Sequence, residues 1–272
     1  KAKEPDQRPV GVVVKGCDSR AIVVLLQEKF ISRLDVYLIG VACEAAGVID
    51  ERKLERKLAG KKVRGVAFGQ PGFFAVTTDD GTLEVPAAEV LADRCQDCIA
   101  NVPVVSDHLL GDKSKRTVAR PFQAAEKVES LPPEARWSFW EKQLGKCIRC
   151  YACRSACPMC YCDECVADTI NFAVTPDTAA EEKAQKIKWV EKSPVDSENF
   201  FYHFVRAIHL AGRCIDCGEC ERACPVGIPL RPLNKKMEKD AKELFGYDVG
   251  LDSDQPALIS CFRDDDPGDF IR

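Results

Sequence analysis

Residues 147–158 read CIRCYACRSACP, and residues 214–225 read CIDCGECERACP. Both stretches, here the first and second motif, follow the pattern Cys-x2-Cys-x2-Cys-x3-Cys-Pro of bacterial iron–sulfur proteins. The two-residue gaps let three sulfurs of one tight loop reach three irons of a cube. The fourth sulfur, just before proline, points away and binds the other cluster. The repeat therefore predicts two [4Fe–4S] clusters that exchange one ligand each.

This exchange predicts the ligands of both clusters. Cluster 1 is expected to be bound by Cys147, Cys150, Cys153 and Cys224. Cluster 2 is expected to be bound by Cys214, Cys217, Cys220 and Cys157. A pair of structural zinc sites is the alternative, because cysteines two residues apart also suit tetrahedral zinc. Zinc sites do not need a third cysteine at the next step and a fourth before proline, so the duplicated pattern favours the clusters.

The chain around the repeat indicates a helical domain. The 56 residues between Cys157 and Cys214 are too many for a compact ferredoxin with short connections between strands. Apolar periodicity and the positions of proline and glycine predict helices over residues 133–144, 179–190, 197–211 and 232–245. We therefore expect an α-helical dicluster [4Fe–4S] ferredoxin domain over residues 133–245.

Residues 1–111 are predicted to form a small α/β domain. Apolar runs over residues 10–14 and 34–39 predict strands, and residues 21–30 and 50–58 predict helices. Further strands are predicted over residues 63–68, 73–77 and 82–85, the last two joined by a hairpin turn. The expected fold class of the whole chain is therefore mixed α+β.

Two further segments complete the predicted domain organisation. Residues 112–132 are charged and polar and contain a proline pair, which is typical of an exposed linker. Residues 246–272 have few periodic apolar positions, so we expect an extended C-terminal tail.

Composition excludes several classes of protein. The 272 residues carry a net charge of −4, so there is no excess of cations for nucleic-acid binding. The longest apolar runs, residues 10–14 and 21–26, are far shorter than the roughly 18 residues of a membrane-spanning helix. The start of the chain has no secretory signal pattern. We therefore expect a cytoplasmic protein whose 16 cysteines stay reduced and serve mainly as metal ligands.

Four cysteines of the α/β domain suggest a third site. Cys17 and Cys43 each follow a predicted strand, at the sheet edge where ligands gather in open α/β folds. Cys95 and Cys98 add two sulfurs from one turn, and the helix start near Cys17 favours negative charge. Four thiolates from three places would complete a third [4Fe–4S] site. A structural zinc ion or buried free thiols remain as alternatives.

Several blocks of the sequence resemble the beta subunits of hydrogenases and formate dehydrogenases that use the deazaflavin coenzyme F420. In the first domain these blocks are VKGCDSRAI at 14–22, IGVAC at 39–43, TDDG at 78–81 and RCQDC at 94–98. The second domain is similar to the ferredoxin extension of formate dehydrogenase beta subunits, with CPMCYCDEC at 157–165 and AGRCIDC at 211–217.

The resemblance has implications for cofactors and partners. In that family the cysteines that match Cys17, Cys43, Cys95 and Cys98 hold a cluster. Beta subunits also carry a Gly-Gly segment ahead of the first block that helps to hold FAD, and this sequence starts after that point, so FAD is not predicted. Similar proteins that lack this segment are partners of heterodisulfide-reductase-like or formate dehydrogenase modules.

The function expected from these observations is electron transfer within a multi-subunit oxidoreductase complex of the formate dehydrogenase, hydrogenase or heterodisulfide-reductase-like type. No substrate site is predicted, because the cofactors supply the redox chemistry. The alternatives are a flavin-containing subunit that exchanges hydride with coenzyme F420 or NAD, and a zinc-binding scaffold. Four cysteines have no assigned role: Cys160, Cys162, Cys165 and Cys261.

The charges near the two motifs predict an order of reduction potentials. Lys146, Arg149 and Arg154 surround the first motif without any acidic residue. In the second motif, acidic residues outnumber basic ones. Because reduction adds an electron, nearby positive charge favours the reduced cluster. Cluster 1 is therefore expected to have the higher potential.

Overall fold

The computed structural model describes residues 8–43, 47–114, 121–162, 165, 167, 177, 179–185, 190 and 194–261. The chain forms two compact units. Unit 1 consists of Lys1–Pro121 together with Gly250–Ser253, and unit 2 consists of Phe122–Val249 together with Asp254–Arg272. Each unit has its own arrangement of secondary structure and is described separately below.

Unit 1 contains two small sheets and several helices. Its elements in chain order are β1 (Val10–Val14), α1 (Gly16–Gln27), β2 (Val36–Val41), α2 (Glu51–Leu58), β3 (Val63–Phe68), β4 (Phe73–Thr78), β5 (Gly81–Pro86), α3 (Ala87–Val90), α4 (Asp93–Gln96) and β6 (His108–Leu110). The predicted mixed class, with an α/β first unit, is confirmed at this level.

The first sheet is parallel, with strand order β1-β2-β6. Helix α1 connects β1 to β2, and its Val23 and Val24 are buried. The helix begins at Gly16 rather than at the predicted residue 21, because the backbone N–H of Lys15 donates to the Asp18 carboxylate at 3.0 Å and caps the first turn. Cys17 therefore lies at the start of a helix that follows a parallel strand.

The second sheet is an antiparallel meander, β3-β4-β5, with a tight turn between β4 and β5. One face of this sheet packs on α2 and α3. The core of this part is formed by Leu54 and Leu58 of α2, Val76 of β4, Val85 of β5 and Val90 of α3. Alternation of buried and exposed side chains along β4 produces this one-sided core.

Unit 2 is helical. Its elements are α5 (Gln123–Glu129), α6 (Pro133–Leu144), α7 (Ala152–Ser155), α8 (Ala180–Gln185), α9 (Asp196–His209), α10 (Glu219–Arg222) and α11 (Leu230–Phe245). The predicted helices over 133–144, 197–211 and 232–245 correspond to α6, α9 and α11. Helix α8 covers part of the prediction over 179–190, of which residues 186–189 lie outside the described residues.

Two segments differ from their predicted character. The predicted linker over residues 112–132 contains α5, which packs against α11 through buried Ala125 and through ion pairs of Glu129 with Lys236 and Lys239. The predicted tail begins with Tyr247 and Val249, each only 1% exposed. Both segments join the folded units because a few apolar side chains, too few to form a periodic pattern, find partners on α11 and nearby loops.

Among the described residues, none of the helices combines the length and the apolar character that crossing a bilayer requires.

A glycine at the start of α1 provides a test of the packing in unit 1. A Cβ atom at Gly16 would lie 1.6 Å from the backbone oxygen of Ala100, whereas a Cβ at Gly11 has no neighbour within 4 Å. We expect Gly16→Ala to lower the free energy of unfolding of unit 1 by about 2–3 kcal/mol through overpacking. Gly11→Ala is the matched control and should change it by less than about 0.5 kcal/mol. Equal stability of the two variants in urea unfolding would contradict this packing.

Candidate metal centres

The two cysteine motifs fold in the same way. In each, a short helix carries the third cysteine, α7 with Cys153 and α10 with Cys220. Each short helix is preceded by a left-handed residue, Tyr151 with a φ of 60° and Gly218 with a φ of 68°. Residues with positive φ are uncommon outside glycine, and they turn the chain sharply. Each motif therefore forms a tight loop in which the cysteines lie close to one another.

In both motifs, a second left-handed residue lies two positions before the first. Arg149 and Asp216 follow the first cysteine at equivalent positions, and both have a φ of 55°. Two non-glycine residues in this conformation carry backbone strain, which persists only where the surrounding structure holds it. The repeat in sequence is therefore also a repeat in backbone conformation.

The fourth cysteine of each motif lies beside the other motif. Burial raises the pKa of the Cys153 thiol, and Cys150 and Cys224 add to that rise. A hydrogen bond from Cys160 lowers the pKa of Cys157, while Cys214 acts in the opposite direction. Cys224 also shares a buried core with Cys153, and Cys157 lines one cavity with Cys214, so the structure brings Cys224 to the first motif and Cys157 to the second.

The cysteines expected at cluster 2 surround a cavity. Cys157, Cys214, Cys217 and Cys220 all line one space of about 380 Å³, a volume that includes room open to solvent. Met159, Leu210 and Ile215 contribute apolar walls to it. Four sulfurs around one largely apolar cavity match the donor set of a [4Fe–4S] cluster.

Several sulfurs accept hydrogen bonds. The backbone N–H of Arg149 donates to Cys147 Sγ at 3.4 Å, and that of Ile228 donates to Cys224 Sγ at 3.4 Å. The side-chain amide of Asn234 lies 3.6 Å from Cys220 Sγ and donates to it. Donors to sulfur stabilise the thiolate form, which is the form that binds iron.

A buried arginine without a full set of partners lies among these sulfurs. Arg206 on α9 is 6% exposed and donates from Nη2 to the backbone oxygen of Cys153 at 3.0 Å. Its Nε has no hydrogen-bond partner. Buried N–H groups are nearly always satisfied, so an orphaned donor beside clustered thiols fits a site that receives an anionic group.

The second motif is attached to α11 by a buried ion-pair network. Arg231 donates from Nε to Asp216 Oδ1 at 2.6 Å and from Nη2 to Oδ2 at 2.8 Å. Lys235 lies 3.2 Å from Asp216 and 2.6 Å from Glu238. Burial opposes ionisation of Asp216, but Lys235 and Arg231 outweigh it and hold the pKa of Asp216 below its usual range.

The four cysteines of unit 1 gather at the end of the parallel sheet. Burial raises the pKa of Cys17 to about 12, with a contribution from Cys98. Burial also raises the pKa of Cys43, with contributions from Cys95 and Cys98. The backbone N–H of Val48 donates to Cys95 Sγ at 3.3 Å. The thiols of the predicted third set therefore influence one another electrostatically, and residues 44–46 are outside the described part of the chain.

The remaining cysteines occupy different surroundings. Cys160 contacts Cys157, and Cys165 packs against the core that contains Cys153 and Cys220. Cys162 and Cys261 are exposed.

A single-ion site is not found in the described part of the chain, where no group of three or more His, Cys, Asp or Glu side chains is arranged to hold a metal ion. Zinc ligands all lie about 2.3 Å from one ion, whereas each ligand of a cubane cluster binds a different iron. Cluster ligands therefore need not converge on a single point.

Sequence reasoning identified the sulfurs but missed the charged and polar groups around them. Arg206 lies on α9, 53 residues from Cys153, whereas Asn234 and the partners of Asp216 lie on α11, the helix that follows the second motif. For Arg206, the only signal in the sequence was its place as a charged residue on the apolar face of a predicted helix.

Comparison with known proteins identifies two regions. Residues 7–139 match the family described as the C terminus of the beta subunit of coenzyme F420 hydrogenase/dehydrogenase. Residues 143–228 match the 4Fe-4S dicluster domain, a domain that holds two clusters. The predicted family and the two predicted [4Fe–4S] clusters are thus confirmed.

Three relatives illustrate the similarity. The F420-dependent formate dehydrogenase subunit beta of Methanocaldococcus jannaschii is 24% identical, over 96% of this chain and 79% of that protein. The F420-dependent formate dehydrogenase 1 subunit beta of Methanococcus maripaludis is 27% identical, over 92% of this chain and 75% of that protein. The acetyl-CoA decarbonylase/synthase complex subunit alpha 1 of Methanosarcina mazei is 22% identical, over 91% of this chain but 25% of that protein.

The buried ion-pair network predicts a large effect of one substitution. Asp216→Asn removes the buried carboxylate that Arg231 and Lys235 share, although Lys235 keeps its pair with Glu238, so we expect a loss of about 3–5 kcal/mol in the free energy of unfolding of unit 2. Asp248→Asn is the control, since its pair with Lys242 is exposed and should be worth at most about 1 kcal/mol. Anaerobic urea unfolding followed by circular dichroism measures both. Similar losses in the two variants would contradict a structural role for the network.

Proposed function

We propose that this chain, which is similar to the beta subunits of coenzyme F420 hydrogenases and dehydrogenases, is an iron–sulfur electron-transfer subunit of a multi-subunit oxidoreductase. The observation that carries the proposal is the meeting of the two motifs: Cys157 of the first lines one cavity with Cys214 of the second, and Cys224 shares a buried core with Cys153. When bound, [4Fe–4S] clusters take up and release single electrons. The protein positions their ligands and sets their surroundings.

Cysteine residues of unit 2 hold the two clusters in the exchanged arrangement. Cluster 1 is bound by Cys147, Cys150, Cys153 and Cys224, and cluster 2 by Cys214, Cys217, Cys220 and Cys157. The cavity lined by the four cysteines of cluster 2 supports this assignment. Hydrogen bonds to Cys147, Cys220 and Cys224 support it as well, because they favour thiolates at these positions.

A third cluster is bound in unit 1 by Cys17, Cys43, Cys95 and Cys98. The mutual influence of these thiols on their pKa values supports the assignment. Their place beyond the carboxyl ends of β1 and β2 is the usual position of a ligand in an open parallel sheet.

The partner is the catalytic part of a formate dehydrogenase or of a related redox complex. The relatives from Methanocaldococcus jannaschii and Methanococcus maripaludis are named as F420-dependent formate dehydrogenase beta subunits, and the third is named as a subunit of the acetyl-CoA decarbonylase/synthase complex. The exposed side chain of Cys150 supports docking near cluster 1, because electrons pass most readily between centres that lie close together.

The exchange of ligands gives a direct test. The anaerobically reconstituted parent protein is expected to contain about eight irons in unit 2, or about twelve per chain with the third cluster, and to show paramagnetic signals after reduction. Cys224→Ser removes a ligand of cluster 1 although this residue belongs to the second motif. We expect about four fewer irons, or a strongly altered signal of the centre on Cys147, Cys150 and Cys153.

The matched control is Cys261→Ser, which changes an exposed cysteine without an assigned role. Its iron content and spectra should equal those of the parent. A colourless parent protein that contains zinc and no iron would contradict electron transfer. A Cys224→Ser variant that alters the centre of the second motif instead would contradict only the exchange.

The charges around the two centres predict which accepts electrons first. Burial raises the pKa of Cys147, and the Arg149 guanidinium opposes this rise. Burial also raises the pKa of Cys214, but there Glu238 and Asp216 add to it. Positive charge near cluster 1 favours its reduced form, so cluster 1 should have the higher potential. A potentiometric titration followed by EPR, with signals assigned through Cys224→Ser, tests the order; earlier reduction of cluster 2 would refute it.

A further inference from the structure

We propose that Arg206 is a counter-cation shared by the two clusters of unit 2 and that it raises the reduction potential of both. The inference rests on the proposed function, because it concerns the surroundings of the clusters in their exchanged arrangement. It adds a residue outside both motifs to the groups that determine how readily this subunit accepts electrons.

The position of Arg206 is the first support. It lies in the last turn of α9, is 6% exposed, and lines the same cavity as Cys157, Cys214, Cys217 and Cys220. Its Nη2 donates to the backbone oxygen of Cys153 at 3.0 Å. One guanidinium therefore touches the loop of the first motif and faces the cavity of the second.

The lack of an ordinary counter-charge is the second support. Within the described residues, no carboxylate forms an ion pair with Arg206, and its Nε has no hydrogen-bond partner. Arg231 in the same unit is similarly buried at 7% exposed, yet it is paired through two hydrogen bonds with Asp216. A buried charge without compensation is strongly unfavourable. The charge of Arg206 must be balanced by another anionic group.

The anionic groups that act on Arg206 belong to both motifs. Burial disfavours its charge, but Cys153, Cys220 and Cys157 outweigh burial and raise the pKa of Arg206. Of these, Cys153 is assigned to cluster 1, and Cys220 and Cys157 are assigned to cluster 2. Cys160, which has no assigned cluster, contributes in the same direction.

The expected consequence follows from electrostatics. Reduction adds one electron to a cluster, and a nearby cation in a poorly solvated site stabilises the added negative charge. Because Arg206 lies near ligands of both clusters, its removal should lower both potentials together. A residue that only braced α9 against the first motif through its hydrogen bond to Cys153 would leave both potentials unchanged.

The test uses three variants of the full chain. Arg206→Gln removes the charge but keeps a hydrogen-bond donor, and Arg206→Lys keeps the charge. Arg222→Gln is the control, because Arg222 lies within the second motif but its side chain is 66% exposed and pairs with Glu219. Iron and sulfide analysis first establishes that each variant is loaded, and EPR-monitored potentiometry then measures both centres.

In Arg206→Gln we expect the ratio of reduced to oxidised protein at a fixed potential to fall at least tenfold for both centres, which corresponds to about 59 mV for a one-electron couple. Arg206→Lys should retain most of the parent potentials, and Arg222→Gln should equal the parent because solvent screens its charge. Unchanged potentials in loaded Arg206→Gln, or a shift in Arg206→Lys as large as in Arg206→Gln, would overturn the proposal.

The proposal stays testable if Arg206→Gln does not assemble its clusters. Assembly of Arg206→Lys with parental potentials would then support a requirement for the buried charge, whereas loss of both clusters in Arg206→Lys would assign Arg206 a purely structural role. A parent protein without the two centres would instead contradict the proposed function itself.

Discussion

Sulfur atoms from two distant motifs must meet inside one small core, and the rest of unit 2 is arranged around this requirement. Cys153, Cys220 and Cys224 are buried together with large side chains such as Tyr202 and Leu230. The core is therefore built from ligands as much as from ordinary apolar residues. Metal binding and folding are coupled in such a domain, because the ligand sulfurs are brought together only in the folded chain.

Charge is the second constraint on this core. Burial disfavours thiolates and raises the pKa of Cys220 to about 11, so the folded chain has to favour the anionic form by other means. Backbone N–H groups, the amide of Asn234 and the guanidinium of Arg206 point toward the sulfurs. The carboxylate of Asp216 is neutralised by its own cations. The arrangement of charges, more than their number, is suited to holding anionic clusters.

Local patterns and long-range packing differ in how well sequence predicts them. The helices of unit 2 and the strands of unit 1 have clear periodicity, and most were predicted within a few residues. Helix α5 and the segment around Tyr247 were not predicted as folded elements. Their burial depends on a few contacts with α11, and these do not produce a periodic apolar pattern in the sequence. The start of α1 was missed because Asp18 caps the helix from inside the first turn.

The sequence by itself determined the two cluster-binding motifs, the presence of a mixed α/β unit before them and the family of the chain, because these features depend on short spacings and local periodicity. It also predicted which cysteines should share a cluster. Only the tertiary structure decided which charged and polar groups surround the sulfurs. Arg206 contacts the first motif from a helix 53 residues away, and Asn234 contacts the second motif from the helix that follows it; such contacts arise from packing rather than from a spacing in the sequence.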